Sequence, residues 1–432
     1  MITGRDYIQS LRDGRRVWLD GGRVGDVTDH VLLRKSVDWL ASTYDRYEGR
    51  PNPAFAAPTT AAELRDQIEH LVTGDRSMIS TASCTTALRA HPHPAYRERA
   101  GAQIDDAVRR DIRWTSACED TAKRVRVVGR GPDGIVVSGG KHHVLGAAVV
   151  HELLVLPAGP VDDPKEAVAF TVPVHSPGVR MVASTPAPRA ADDRHYPLSR
   201  RQTISEAMVI FDDVLIPHDR VLLDGEVEAA SSLRATLDET ELTAAVAAQA
   251  DRAELLLGLA QSIAEMNGTR AVAHIRDKLA AIAVYAKMCR AGWEAAITGT
   301  TPDESGQLRA DLSYLYATKS YGTRSYSDMT YFLHDIAGGA VITAPTIADL
   351  DNPLIGDFCR KYMRTGENVS GEERIRIFHA IRDLTADTFG GWDKVTGQAV
   401  GGNMHAQRLA ALELSDLAAA RNRARAEAGI TN

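Results

Sequence analysis

Two periods of hydrophobicity divide the chain. Between Lys123 and Leu223 apolar residues alternate with polar ones in short runs broken by Gly and Pro, and outside that window they recur at helical spacing. The strand-like runs are Arg124–Val128, Ile135–Val137, His151–Leu156, Ala167–Pro173, Val179–Ser184 and Ala207–Leu215. They predict a small antiparallel sheet or barrel of about 100 residues. The segment before Asp26, rich in Gly and Arg around Trp18, is irregular and packs onto something later in the chain.

Helical patterning begins at Val31–Tyr47, with Thr28 as its cap, and continues after the Pro51–Pro58 loop. Thr60 and Glu63 have capping-box spacing and open a helix reaching Val72; two more helices are expected near Ser77–Arg89 and Tyr96–Trp114. From Glu239 onward the runs Glu239–Met266, Ile275–Ile297, Leu308–Leu333, Arg374–Phe389 and Arg408–Ala426 suit an antiparallel helical bundle. The predicted class is therefore α+β: an N-terminal α-helical domain over 1–114, a middle antiparallel β-barrel domain over 115–225, and a C-terminal helical bundle over 226–432. Arg194–Leu223, with the strand Phe211–Pro217, is the seam between two architectures, and ligand clefts favour such junctions.

Composition narrows the function. With 432 residues, 44% hydrophobic and 25% charged, the chain can bury large cores, and a net charge of −7 without a basic stripe argues against a nucleic-acid partner. No apolar run reaches the roughly 18 residues needed to span a bilayer, and the N-terminus is too charged for a signal peptide, so a cytoplasmic protein without membrane contact is expected. Cys84, Cys118, Cys289 and Cys359 stand far apart, as reduced thiols do, and no metal site is expected. Gly129–Gly134 spells G-x-G-x-x-G, but a strand follows it, Pro132 interrupts it, and Asp133-Gly134 is a hairpin turn signal.

Three stretches carry a family resemblance: Thr3–Gly21, Gly139-Gly-Lys141 followed by His151–Val155, and His195–Arg201 with Val209–Leu223. They resemble the oxygenase component of the 4-hydroxyphenylacetate 3-hydroxylases, related to the 4-hydroxybutyryl-CoA dehydratases, within the acyl-CoA dehydrogenase-like flavoproteins. The resemblance implies non-covalent FAD between the β-domain and the bundle, and a homo-oligomer, usually a tetramer. It also implies reduced flavin (FADH2) from a separate NAD(P)H:flavin reductase, and O2 activated as a C4a-hydroperoxyflavin that hydroxylates a small-molecule aromatic substrate.

Carried onto this chain, the resemblance assigns residues. The family's Arg-Ser-Pro-Asp-Tyr pocket segment matches Asp75–Ser80, keeping Arg76 as a catalytic and substrate-binding donor fork and placing Ser80 where Tyr stands. Its Asp-Leu-x-Leu-Thr-His-Ala segment matches Asp111–Ala117, so Ser116 occupies the place of a pocket His that contacts substrate and flavin. Serine is no base near neutral pH, so the usual phenol-activating group is missing. Thr115, Ser116 and Ala117 remain candidates for hydrogen bonds to the flavin. In Gly139–Gly146, Leu145 takes the place of a flavin-facing Thr, and on an unbroken strand His143 shares its face and could replace the lost base. Gly401, Gly402 and Asn403, before the last helix, are expected to approach FAD through the backbone.

Rival readings remain. A dehydratase needs an iron–sulfur cluster held by three Cys and one His; His334 fits part of that pattern and the dispersed cysteines do not, leaving a cluster-free dehydratase or isomerase on FAD, or a non-catalytic scaffold. The expectation is an FADH2-dependent, two-component monooxygenase acting on an aromatic, bulky biosynthetic substrate in a pocket relieved of Tyr and His.

Overall fold

A computed structural model describes residues 2–47, 51–74 and 76–430. The opening segment holds α1 (Gly4–Ser10), β1 (Val17–Leu19) and β2 (Gly22–Val24). Helices α2 (Leu33–Arg46), α3 (Ala61–Gly74), α4 (Met78–Arg89) and α5 (Pro94–Arg110) follow. The strands are β3 (Trp114–Ala117), β4 (Arg126–Gly131), β5 (Gly134–Leu145), β6 (Glu152–Val155), β7 (Val168–Pro173), β8 (Val179–Ser184), β9 (Glu206–Pro217) and β10 (Val221–Asp224), with the short helix α6 (Ser199–Gln202) before β9.

The strands β1 to β10 form two sheets, not one closed barrel. Six lie in the order β2-β1-β8-β9-β5-β4 and four in the order β10-β7-β6-β3. Two pairings, β1 with β8 and β3 with β6, are parallel, so the layer is mixed where an all-antiparallel one was expected. The strands β1 and β2 come from the opening segment, which is what that segment packs onto. Phe170 of β7 meets Phe211 of β9 edge-on across the sheets, ring centroids 5.8 Å apart. The G-x-G-x-x-G stretch is the β4–β5 hairpin, with Gly131 paired to Gly134 around Pro132 and Asp133.

The bundle starts earlier than its apolar spacing suggests. Helix α7 runs from Val227 to Met266, its first turns placing Leu233 and Leu237 in a core shared with α4, α5 and the four-stranded sheet. It packs against α8 (Ala273–Thr298) and α9 (Leu312–Ala337), with Trp293 and Leu315 fully buried. After the short helices α10 (Ala340–Thr343), α11 (Ile347–Asp351) and α12 (Gly356–Met363) come α13 (Gly371–Thr385) and α14 (Thr388–Ala399). The run expected to reach Phe389 breaks between these two because the Asp387 carboxylate caps α14, accepting from Thr388 N at 2.8 Å. The final run likewise divides at Asp416 into α15 (Met404–Glu413) and α16 (Leu417–Glu427), the latter with no buried residue.

Two predicted caps differ in detail. Thr28 donates its hydroxyl to Asp26 Oδ1 at 2.7 Å in a local turn, and α2 begins at Leu33 without a side-chain cap. At α3, Thr60 Oγ1 accepts from Glu63 N at 3.2 Å, while Glu63 reaches back to Thr59 N at 2.7 Å, one residue short of a reciprocal box.

Lys141 ties the two sheets together. Its side chain, 1% exposed, leaves β5 and donates to the carbonyls of Cys118, just past β3 (2.9 Å), and Leu156, just past β6, and to Asp120. Burial depresses its pKa and the Asp120 carboxylate opposes that. Replacing it by Met strands a carboxylate and two carbonyls, and breaking a buried charge pair this way costs about 3 kcal/mol or more. K141M is therefore expected to lower the urea midpoint with an unchanged slope, a loss below about 1 kcal/mol arguing against this anchoring.

Candidate functional site

The strand β3 is held in place from both sides. Thr81 of α4 exchanges hydrogen bonds with the Trp114 backbone, Oγ1 donating to its carbonyl at 2.9 Å and accepting from its N–H at 3.1 Å. One residue earlier, the buried Arg113 guanidinium stacks 4.5 Å over Tyr44 and donates to Ser77 and Thr43, fixing β3 against α2 and the start of α4. Ser80 of α4 consequently faces Thr115 and Ser116.

Three hydroxyls meet there. Ser80 Oγ lies 3.1 Å from Thr115 Oγ1 and 3.4 Å from Ser116 Oγ, and accepts from Ser116 N at 3.2 Å. Ser116 Oγ in turn donates to Glu241 Oε1 of α7 at 3.0 Å. Ala117 is fully buried in the sheet core, so only its backbone is offered to a ligand.

Glu241 escaped the sequence reading. It sits in a Glu-Thr-Glu start to a helical run, which resembles a solvated face, and only the packing of α7 on α4 and β3 turns it inward. Among the described residues its side chain's one hydrogen bond is that with Ser116. Burial, with Asp238 one turn away adding to it, pushes its carboxyl up to about 7, against the Ser116 hydrogen bond and Arg234.

Arg76 precedes α4, and Asp75 beside it lies outside the described residues. Its Nη1 is 3.4 Å from Asp393 Oδ1 of α14, a carboxylate also taken by Arg252 Nη2 of α7 at 2.9 Å. Burial and Arg252 lower the Arg76 pKa. Nearby Lys319 donates to the Gly397 carbonyl, its pKa brought down to about 8 by burial, and the Tyr326 hydroxyl is buried without a partner among the described residues. Cationic capacity here exceeds what Asp393 can neutralise.

The same helix α14 reaches the β-layer. Trp392 Nε1 and Thr396 Oγ1 donate to Glu206 Oε1 at 2.7 and 3.2 Å, and Glu206 Oε2 lies 3.7 Å from His143 Nδ1. Here the expectation for His143 needs correction. The Cα partners of β5 on β9 step from Lys141 and Val209 to Val144 and Ala207, three residues against two, so a bulge breaks the register assumed for His143 and Leu145. His143 has a φ of +53° and a side chain 75% exposed on the rim, whereas Leu145 is half-buried against the β core.

Gly401 and Gly402, both with a φ of +82°, form the α14–α15 turn, and Asn403 Oδ1 caps α15 by accepting from Ala406 N at 3.0 Å. A Cβ on Gly401 would stand 3.0 Å from Leu242 Cδ1, next to Glu241 in sequence. The glycine turn thus lies against α7, and α14 links Arg76, through Asp393, to Glu206 and His143.

No cluster site is assembled. Cys84, Cys118 and Cys289 are buried and Cys359 partly so, all free; His334 Nε2 bonds Thr385 Oγ1 at 2.7 Å; and among the described residues no three potential ligands converge.

Helices, paired sheets and a bundle meeting around α14 define an α+β fold. The crystal structure of the oxygenase component of 4-hydroxyphenylacetate 3-monooxygenase complexed with FAD matches with a TM-score of 0.89 at 25% identity, over 99% of this chain and 98% of that one. Sequence profiles for the 4-hydroxyphenylacetate 3-hydroxylase N terminal and C terminal match residues 3–73 with 98–223, and 234–429. The chain belongs to that family. The oxygenase component of 4-hydroxyphenylacetate 3-monooxygenase from Geobacillus sp. (strain PA-9) is 26% identical over 90% of this chain and 88% of its own length. The 4-hydroxybutyryl-CoA dehydratase/vinylacetyl-CoA-Delta-isomerase of Clostridium aminobutyricum is 25% identical over the whole of both chains.

The residues present fit a flavin. The buried Thr203 and Ser205 hydroxyls, just before Glu206, have no partner among the described residues, and Gly401 brings its backbone close against Leu242 where a Cβ would crowd.

The raised Glu241 carboxyl has a consequence for stability. A group protonated up to about pH 7 in the fold, and to about 4.5 when unfolded, favours the fold below 4.5, and that contribution is lost as pH rises to 7. E241Q is therefore expected to be more stable than the wild type at pH 8, by on the order of 3 kcal/mol, and equal to it below about pH 4.5. Urea melts at the two pH values check this; a gap independent of pH would contradict the raised carboxyl.

Proposed function

We propose that the chain is an FAD-dependent two-component monooxygenase that hydroxylates an aromatic substrate in the crevice between the β-layer and the bundle. The observation that supports it best is that one helix, α14, holds Arg76 through Asp393 and Glu206 through Trp392, in a chain of the hydroxylase family. The fold is read as acyl-CoA dehydrogenase-like. In this reading the chain divides near residues 114 and 225, with β1 and β2 lent to the middle domain, and assembles as a homo-oligomer, a tetramer.

FAD, reduced by a separate NAD(P)H:flavin reductase and therefore used in the cytoplasm, supplies the activation of O2 when bound. Thr115, Ser116 and the Ala117 backbone, His143 and Leu145 at the rim, and Gly401, Gly402 and Asn403 at the turn would hold it. Arg76 presents a rigid donor fork to an anionic group on the substrate, and Asp393 aims that fork. The apolar helix faces exclude water from the reacting ring. Small serines at 80 and 116 leave room for a bulky, biosynthetic substrate.

The test is the full chain with reduced FAD, oxygen and a panel of phenols, followed by product analysis. Hydroxylated product above that from flavin and oxygen alone is expected; reoxidation at the free rate without product would overturn the reading. R76A should lower kcat/KM by about 10- to 100-fold, the worth of a charged hydrogen bond. S116H should reduce turnover of the native substrate, because an imidazole displaces the Ser80 and Glu241 contacts; increased turnover would count against a pocket shaped around serine.

A further inference from the structure

The three hydroxyls in the crevice end on a carboxylate. Ser116 spends its one hydrogen on Glu241 Oε1 at 3.0 Å, which leaves the lone pairs of Ser116 Oγ to accept. Ser80 and Thr115 are buried at its back, Ser80 being held by the Ser116 backbone N–H, whereas Ser116 is half-buried and the more open of the three.

We propose that Glu241, acting through Ser116, receives the proton of the substrate's ring hydroxyl. The inference rests on the aromatic hydroxylase reading above. The substrate O–H bond breaks, its proton passes to Ser116 Oγ, and Ser116 passes its own to Glu241 Oε1. The electron pair stays on the substrate oxygen, leaving an electron-rich phenolate and a neutral carboxyl, with no net oxidation.

Among the charged neighbours of Glu241, Asp238 and Glu119 raise its carboxyl and Arg234 opposes them. Arg234 on the same helix gives Nε to Asp238 at 2.8 Å and Nη2 to Glu119 at 2.9 Å, so neither bond neutralises Glu241. Asp238 and Glu119 add negative field, and the thiols of Cys84 from α4 and Cys118 beyond β3 flank it, both with raised pKa values that keep them neutral. The carboxyl consequently titrates near neutrality, where an acceptor is most effective. His143, the base that strand alternation suggested, is an exposed rim residue beside Glu206.

The probe is 4-nitrophenol, whose phenolate is yellow, bound to the FAD-loaded full chain and titrated with acid. In the wild type, one proton shared between phenol and Glu241 makes the yellow band fade in two separate steps. E241Q removes the second site and is expected to give a single step, whereas S116A keeps the carboxyl and its two steps but cuts the path, so it is expected to lower kcat/KM for 4-nitrophenol. Glutamine is nearly isosteric, so E241Q tests the proton and not the fold. With a reductase present, E241Q should lower kcat/KM for 4-nitrophenol by about 100-fold and abolish its acidic limb. A single step of the same midpoint in all three proteins, with the probe bound, would overturn the relay while leaving the hydroxylase reading intact. Failure of the probe to bind at all would overturn the aromatic site, and the relay with it.

Discussion

A single buried ammonium group sets the geometry on which the crevice depends. Lys141 belongs to the six-stranded sheet, yet its three acceptors lie at the ends of β3 and β6 in the other. Desolvating a lysine is costly unless its hydrogens are all used, and here all three are. That requirement leaves the sheets one mutual offset in which the ammonium is satisfied. Because Ser116 is two residues before Cys118 and His143 two residues after Lys141, the same offset fixes the distance between Ser116 and His143.

The bundle is coupled to the β-layer by α14. Asp393 faces Arg76 and Arg252, and Trp392 and Thr396 face Glu206, so one short helix spans from the N-terminal helices to the β-layer. A ligand entering between them meets side chains whose orientations are set by partners on other elements, the condition for holding reacting groups in place.

Much of the fold was legible in the sequence because it rests on local rules. Period-two runs found β6 to β9 to within a residue or two, and Asp133-Gly134 was correctly a turn and not a nucleotide loop. What failed depended on neighbours. A bulge at His142-His143 cannot be seen from alternation, since one extra residue keeps the composition and reverses the face. Thr28 had cap chemistry but found Asp26 closer. Parallel pairing of β3 with β6 joins segments 38 residues apart (152 − 114) that carry no mutual signal. Glu241 was hidden for the opposite reason: a charged residue at a helix start is ordinarily solvated, and the layers that bury it come from Ser80 and Ser116, far away in sequence.

The electrostatics along α7 give the crevice a direction. Along its middle turns Asp238 and Glu241, with Arg234 beside them, precede Arg252, which Arg76, Lys319 and Asp251 join. Eleven residues separate Glu241 from Arg252, about 16 Å at the rise of a helix. An imidazole at position 116 would have been a short-range, self-contained base, but a cation there would oppose this gradient. A serine leaning on a half-buried carboxyl keeps this part of α7 closer to neutral at low pH and more anionic at high pH. The field that orients a ligand with one anionic end therefore strengthens as the proton acceptor becomes available, so positioning and proton transfer draw on the same ionisation.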